Sequence, residues 1–497
     1  MNIIYATYFS SYLPLSMVQE ASNLNDLPMH TYIANALSAW DAVPLCFAIS
    51  MPLMFNIKKC SIWKKTKHDT YYFVLPLICI LSYFIGLKLF IYENRITIPN
   101  KATIAQVSLM PTESRLNLNS ALTIYETGII RGQILPFFFH TTGKVLTKDE
   151  REDISRYIEN LKKGQQRINS HYEGKKNLIF IMAETYLATS ANEKIQDKEV
   201  TPFLNSLRRD KNIIVNDSMM NNIGIGGSSS GQFVYMTGLL PLKNRLTISI
   251  AQSHKMYALP SILKEHGYYT LMTNPCQASL WNQDNMCKKY GIDHHYALSD
   301  ANTEWMNDSQ MFANAIANEA KATTPFFHLM LTISTHRPYT EEAPELRKCN
   351  CYPQKQPEDM SAEYFNYLLK VHYMDHSIEQ YIKSLKERGI YDKSIIVIAS
   401  DHGWQENIHS LPKTEDANQL SLIIIGADSE LQYVKEPINQ LDVFTSILDM
   451  MNIKSHKTSW KGLGHSIFRP ETFQNSATDK AWDISSDIIM GDYFDIK

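Results

Sequence analysis

The chain has 497 residues, 44% hydrophobic and 11% aromatic, enough for two or three domains and a sizeable core. Its formal net charge of -3 excludes the global positive field that binds nucleic acid without sequence preference. None of its seven cysteines stands in a C-x-x-C pair, which excludes the usual structural zinc spacing.

At the start, Ile3 to Val18 is apolar but short, and it lacks the charged lead of a signal peptide. Residues 36–55 are apolar except for Asp41, carry Pro44 and Pro52, and read as a membrane span. Residues 71–92 (YYFVLPLICILSYFIGLKLFIY) read as a second span, with Lys88 near one end where its ammonium reaches the headgroups. Five lysines fall in residues 56–67 between them, and the positive-inside rule places that loop in the cytoplasm. Residues 1–93 are therefore expected to form a membrane region, with everything after Glu93 on the outer side of the cell membrane. There the last four cysteines could oxidise; a Cys276–Cys287 bridge is one option, whereas a Cys349–Cys351 ring would be strained.

Residues 94–170 read as a connector holding one helix, 146–161, with Thr147 as N-cap, acids in the first turn, and Ile154, Ile158 and Leu161 on one face. From Lys175 onward, strands and helices alternate. Strands are expected at 177–183, 268–273, 326–333, 394–400 and 421–425, and helices at 201–209, 258–266, 308–321, 361–388 and 439–451. This alternation predicts an α/β domain over 171–497 with a mostly parallel central sheet flanked by helices.

Two of these strands end on chemistry. Asn177–Ala183 (NLIFIMA) is an apolar run suited to burial on both faces, and it stops on Glu184. Ser394–Ser400 (SIIVIAS) repeats the design and stops on Asp401-His402-Gly403. Ligands of open α/β sheets gather beyond the carboxyl ends of strands, so two carboxylates and an imidazole at one rim predict a metal site. Gly224–Phe233 (GIGGSSSGQF) places a glycine run before hydroxyls at a helix start, offering backbone N–H groups for an anion and a nucleophilic oxygen. A serine hydroxyl is a poor nucleophile near neutral pH, and coordination to a divalent cation would lower its pKa and aim it.

Lys176–Glu184, Gly226–Pro241 and Ile395–Gly403 resemble the motifs of the lipoteichoic acid synthase/phosphoglycerol transferase group, membrane-anchored members of the sulfatase/alkaline-phosphatase superfamily. The resemblance runs from about Leu146 to the C-terminus in motif order and spacing. It implies an alkaline-phosphatase/sulfatase-like fold outside the bacterial cell (inner) membrane, behind a multi-pass N-terminal part. It also implies one divalent metal, manganese first and magnesium or zinc admitted, since mixed oxygen and nitrogen ligation does not choose among them. The activity implied is transfer of a phosphoglycerol or phosphoethanolamine headgroup from a phospholipid donor to a glycan or glycolipid acceptor, through a phosphorylated enzyme. Carried over by position, the metal ligands are Glu184, Ser228, Asp401 and His402. Ser228 is the nucleophile by its register with Gly227, Gly231 and Phe233, with Ser229 and Ser230 in reserve. His336, Trp281 and Gln283 match substrate-binding positions. Lipoteichoic acid synthases usually carry arginine where this chain has Gln283, and glutamine supplies neither the charge nor the two-pronged grip on phosphate.

Several look-alikes are set aside. Cys351-Tyr-Pro-Gln-Lys355 approximates a sulfatase C-x-P-x-R motif but ends in lysine and lies far from the nucleophile position. Asp375-His376 falls inside a helix, where capping or packing is expected; His294 and His295 read as a surface loop; and Asp442 reads as orienting the last helix. His465 has no firm assignment. The same site with water as acceptor would be a phosphodiesterase or phosphatase. A relative without catalysis, acting as a lipid-sensing scaffold, would be expected to have lost metal ligands that this chain keeps.

Overall fold

A computed structural model describes residues 145–163 and most of 176–494, leaving out 300–303, 340–345, 347–354, 404–418, 454–459 and a few single positions. Both expected membrane spans, most of the connector and the Cys349–Cys351 pair lie outside the described residues. Among the described residues, no helix is long and apolar enough to cross a membrane.

In chain order the main elements are α1 (Lys148–Lys162), β1 (Asn177–Ala183), α2 (Pro202–Arg208), β2 (Ile214–Met219), α3 (Ser228–Thr237) and α4 (Thr247–Ala251). Next come α5 (Leu259–Glu265), β3 (Tyr269–Gln277), α6 (Gln283–Tyr290), β4 (His294–Leu298), α7 (Asp308–Glu319) and β5 (Phe326–Leu331). The last are α8 (Ala362–Glu387), β6 (Ser394–Ser400), β7 (Leu420–Ile425), α9 (Gln440–Met450) and α10 (Asp479–Met490). Seven strands form one sheet in the order β2-β7-β6-β1-β5-β3-β4.

The sheet is mixed: most of it is parallel, as expected, and one strand runs against the rest. β6, β1, β5, β3 and β4 run parallel, but β7 pairs antiparallel with both β6 and β2. A run such as SLIII has the apolar pattern typical of a parallel strand buried on both faces, yet this strand runs against both neighbours.

β1 shows why the sheet is the middle layer. Leu178, Phe180 and Met182 point into one core, with α3, α5, α9 and α10, while Ile179, Ile181 and Ala183 point into the other, with α2, α7 and α8. All seven residues of the strand are buried, and each large aliphatic side chain so placed contributes roughly 1.5–3 kcal/mol. At the domain's start, α1 begins as expected: Thr147 and Glu150 form a reciprocal capping box, and Ile154 and Ile158 are buried.

Register decides where the chemistry lands. Ala183 pairs with Ser400, so the residues that follow, Glu184 and Asp401, emerge side by side. Met182 pairs with Leu331 on the other flank, which delivers the loop beginning at Thr332 to the same rim.

Two expectations fail here. Cys276 and Cys287 are not joined by a disulfide, and Cys287 Sγ instead lies 3.4 Å from Met272 Sδ in the core. His294 and His295 belong to the edge strand β4 rather than a loop. There His294 stacks on Tyr269, and His295 Nδ1 lies 3.0 Å from Asp284 Oδ1. By contrast Asp375 behaves as expected of a capping residue: buried on α8, it accepts the N–H groups of Phe203 and Leu204 at the start of α2. Asp442 likewise holds the N–H groups of Asn439 and His465 around the start of α9.

Candidate metal and nucleophile site

Glu184, Asp401 and His402 come together: one ligand atom from each lies within 4.8 Å of the others, a grouping that could hold a metal ion. All three are buried, at 4%, 2% and 6% exposure, whereas Ser228 at the start of α3 remains partly open to solvent. Ser228 Oγ donates to Glu184 Oε2 at 2.8 Å and lies 3.3 Å from His402 Nε2. The neighbouring hydroxyls are turned elsewhere. Ser229 Oγ donates to Gly226 O at 2.7 Å, and Ser230 Oγ is buried without a hydrogen-bond partner. Geometry therefore sets Ser228 apart from its two reserves.

The turn before α3 explains the glycines. Gly227 has φ 50° and ψ -131°, a conformation closed to other residues. Gly231 packs against the end of β6 so closely that a Cβ would stand 2.1 Å from Asp401 O. The anion cradle read from the glycine run is narrower than expected, because the N–H groups of Ser229 and Ser230 already bond Gly226 O and Gly227 O.

Glu184, Asp401 and His402 are each held from behind. His402 Nδ1–H donates to Gly403 O at 2.7 Å, which turns Nε2 toward Ser228. Gln440, at the start of α9, donates from Nε2 to Asp401 O at 2.7 Å and accepts the Asn222 N–H at 2.7 Å, tying β6 to the loop that leads into α3. Glu184 N–H donates to Thr332 Oγ1 at 2.9 Å, and Thr335 Oγ1 donates to Glu184 O.

The electrostatics suit a cation. Burial and the facing charge of Glu184 push Asp401 up to about 8. Burial also acts to raise Glu184, but the hydrogen bond and positive charge of His402 outweigh it and leave Glu184 below the ordinary carboxylate range. His402 is raised to about 9: burial opposes its charge, and the two carboxylates overcome it. Two carboxylates this close persist together as anions only beside compensating positive charge, which a divalent ion among Glu184, Asp401, His402 and Ser228 would supply.

Of the remaining expected residues, His336 feels the charge of Glu184, and Gln283 bonds to α3. His336 follows β5, half-buried, with Nδ1–H donating to Arg337 O at 2.8 Å and Trp305 edge-on at 5.3 Å. Burial lowers it to about 4 against the pull of Glu184, so its ring is neutral near pH 7. Trp281 and Asn282 adopt φ 52° and 55°, a conformation that asparagine tolerates and that strains a bulky residue such as Trp281. Gln283 is buried and donates to Gln232 Oε1 at 2.8 Å, one turn beyond Ser228 on α3, while its own Oε1 has no partner. His465 stands apart from this cluster, with Nδ1 on Gln474 O at 3.0 Å.

A group of residues able to hold a metal thus stands at the sheet rim, with a serine at a helix start beside it. The family model described as Sulfatase matches residues 176–453, more than half of the chain, and the chain belongs to the sulfatase family. Within it, the chain is similar to lipoteichoic acid synthase 2 of Bacillus subtilis, 28% identical over 312 residues that make up 60% of this chain and 46% of that protein. It is also similar to the lipoteichoic acid synthase of Staphylococcus aureus (strain NCTC 8325 / PS 47), 26% identical over 421 residues, 82% of this chain and 61% of that one. The chain thus spans between about half and three fifths of the length of these two relatives. The crystal structure of the lipoteichoic acid synthase LtaP from Listeria monocytogenes shares the fold, with a TM-score of 0.52 at 19% identity over 63% of this chain and 80% of that one.

Proposed function

We propose that this chain is a membrane-bound, metal-dependent transferase of the bacterial cell envelope. It moves a phosphoglycerol or phosphoethanolamine headgroup from a phospholipid to a glycan or glycolipid acceptor through a phosphorylated Ser228. The observation that carries this reading is Ser228 Oγ, partly open to solvent, 2.8 Å from Glu184 Oε2 and 3.3 Å from His402 Nε2 beside Asp401. The names of the relatives, lipoteichoic acid synthases, support the choice of transfer over plain hydrolysis.

In this reading Glu184, Asp401, His402 and Ser228 hold one divalent ion, manganese first. The ion would lower the pKa of the serine hydroxyl and neutralise the phosphoryl group. Ser228 forms a bond to phosphorus as the bond to the diacylglycerol oxygen breaks, and the serine proton passes to that oxygen so that diacylglycerol leaves as the neutral alcohol. The acceptor hydroxyl then takes the headgroup and frees the serine, and neutral His336 is suited to receive its proton at Nε2. Trp281 and Gln283 would flank the headgroup. An uncharged amide at 283 suits the hydroxyls of a headgroup better than a second phosphate. Residues 1–93 would anchor the chain, the residues between them and α1 would connect, and 171–497 would work outside the membrane with α1 packed into the same core.

Turnover of fluorescent phosphatidylglycerol against phosphatidylethanolamine by the full-length chain, with Ser228→Ala as control, tests the proposal. Headgroup release should vanish in the variant, and mass spectrometry of a trapped intermediate should find the adduct on the peptide containing Ser228. Undiminished release by Ser228→Ala would refute it; release to water alone, with no acceptor product, would make the enzyme a phosphodiesterase.

A further inference from the structure

Thr185 has no part in the reading above, yet it sits between the two carboxylates. It follows Glu184 directly, is 6% exposed, and has φ 43°. A β-branched residue takes that left-handed conformation only when its surroundings force it. Here the force is visible. Tyr367 on α8, fully buried, donates its hydroxyl to Thr185 O at 3.0 Å and accepts the Leu187 N–H at 3.3 Å, stapling the turn shut.

Held in this way, Thr185 reaches both acids. Its Oγ1–H donates to Glu184 Oε1 at 2.7 Å, and its backbone N–H donates to Asp401 Oδ1 at 2.8 Å. The other oxygens face the centre: Glu184 Oε2 meets Ser228 at 2.8 Å, and Asp401 Oδ2 lies 3.5 Å from His402 Nε2. Glu184 Oε1 lies at the same 3.5 Å from that nitrogen, and the hydroxyl of Thr185 keeps it from turning further onto the imidazole.

We propose that Thr185 is the positioning residue of the site: it pins one oxygen of Glu184 and one of Asp401 so that the other oxygen of each is presented to a divalent cation beside Ser228 and His402. The proposal rests on the metal reading of the previous subsection. Residues that hold a metal's ligands from behind typically govern about 10–100-fold in metal affinity; the hydroxyl of Thr185 would do so for Glu184, while its backbone N–H shares Asp401 Oδ1 with the N–H of His402 at 2.6 Å. A sequence motif built on the ligands alone passes over it, because its contribution lies in a backbone angle and a single hydroxyl.

The test is manganese binding, read by calorimetry and electron paramagnetic resonance on the full-length chain freed of metal by a chelator. Thr185→Val keeps the branching and the bulk but loses the donor; Thr185→Ser keeps the donor. Thr185→Val should bind Mn²⁺ about 10–100-fold more weakly, and Thr185→Ser within about threefold of the original, while both melt like the original in chelator. Thr185→Ala serves in place of the valine variant should that one not fold, with the same weakening expected. Equal binding by the donor-less variant, or a serine variant as weak as valine, would overturn the assignment. Glu184→Gln is the control for the underlying reading: if it binds Mn²⁺ as tightly as the original, the metal site itself is refuted and the role of Thr185 goes with it.

Discussion

Replacing Gly231 with alanine should damage the site far more than the fold. The added Cβ would stand 2.1 Å from Asp401 O, 2.9 Å from its carbonyl carbon and 3.3 Å from its Cα. All three are backbone atoms that cannot rotate aside. An ordinary carbon–oxygen contact is ~3.3–3.6 Å, so α3 and the end of β6 must part by about 1.3 Å. Ser228 lies one turn before Gly231, and His402 follows Asp401. The 2.8 and 3.3 Å separations of Ser228 from Glu184 and His402 would therefore open to about 4 Å or more. Overpacking costs ~1–3 kcal/mol, and alanine returns about 1 kcal/mol through helix propensity, leaving a net loss of ~0–2 kcal/mol. Misalignment by about 1 Å costs on the order of 100-fold in rate. Gly231→Ala should thus stay folded with the proposed headgroup release about 100-fold down, measured alongside a thermal melt. Turnover within about threefold of the original would refute the argument that this close approach aims Ser228. Wholesale unfolding would refute the division between alignment and stability.

Two further outcomes are expected from the body of the domain. Asp375→Ala should lower stability by ~2–4 kcal/mol by leaving the N–H groups of Phe203 and Leu204 unmet, and Asp375→Asn should recover only part of it, because its single acceptor oxygen can take one of the two N–H groups while its NH2 faces the other; an unchanged melting temperature in the alanine variant would show the cap to be idle. Burial lowers His372 to about 4 from 6.5, with Nδ1–H on Val200 O at 2.8 Å. The folded state therefore binds fewer protons than the unfolded state, and the stability from neutral His372 is complete above pH 6.5 and is lost as pH falls through 4. His372→Gln should flatten stability across that window, and an unaltered slope in melts from pH 7 to 4 would sink the assignment.

The sequence announces the middle of this fold more clearly than its edges. β1 and β6 are unbroken apolar runs ending on acids, and a strand buried on both faces writes itself that way. β2 (IVNDSM) and β4 (HHYAL) are short and polar, and only pairing with β7 and β3 makes them strands. The reversed direction of β7 depends on the route of the chain and leaves no mark in composition. Among site residues, Glu184, Asp401 and His402 are legible because strand ends are legible. Choosing Ser228 from three consecutive serines needed the positions of Gly227 and Gly231. Thr185 and Gln440 were missed, since a positive φ and a bridge between Asp401 and Asn222 appear only once the chain is folded. The Gly-Gly-Ser run did signal a turn, though its amides were already committed to that turn.

The place of β1 at the centre of the sheet also bears on how the domain is made. Asn177 begins the strand, and the groups that meet it, Phe326 and Ser394, come 149 and 217 residues later. During synthesis the first strand must wait, its edges bare, while two thirds of the domain emerge. Distant pairings of this kind slow folding and favour intermediates that stick to one another. A polypeptide stopped short of Ser394 would have neither β6 to cover that edge nor Asp401 and His402 to complete the rim. It would be an aggregation-prone fragment with no partial activity, and a cell making this protein must keep the early strand from improper partners until the last third arrives.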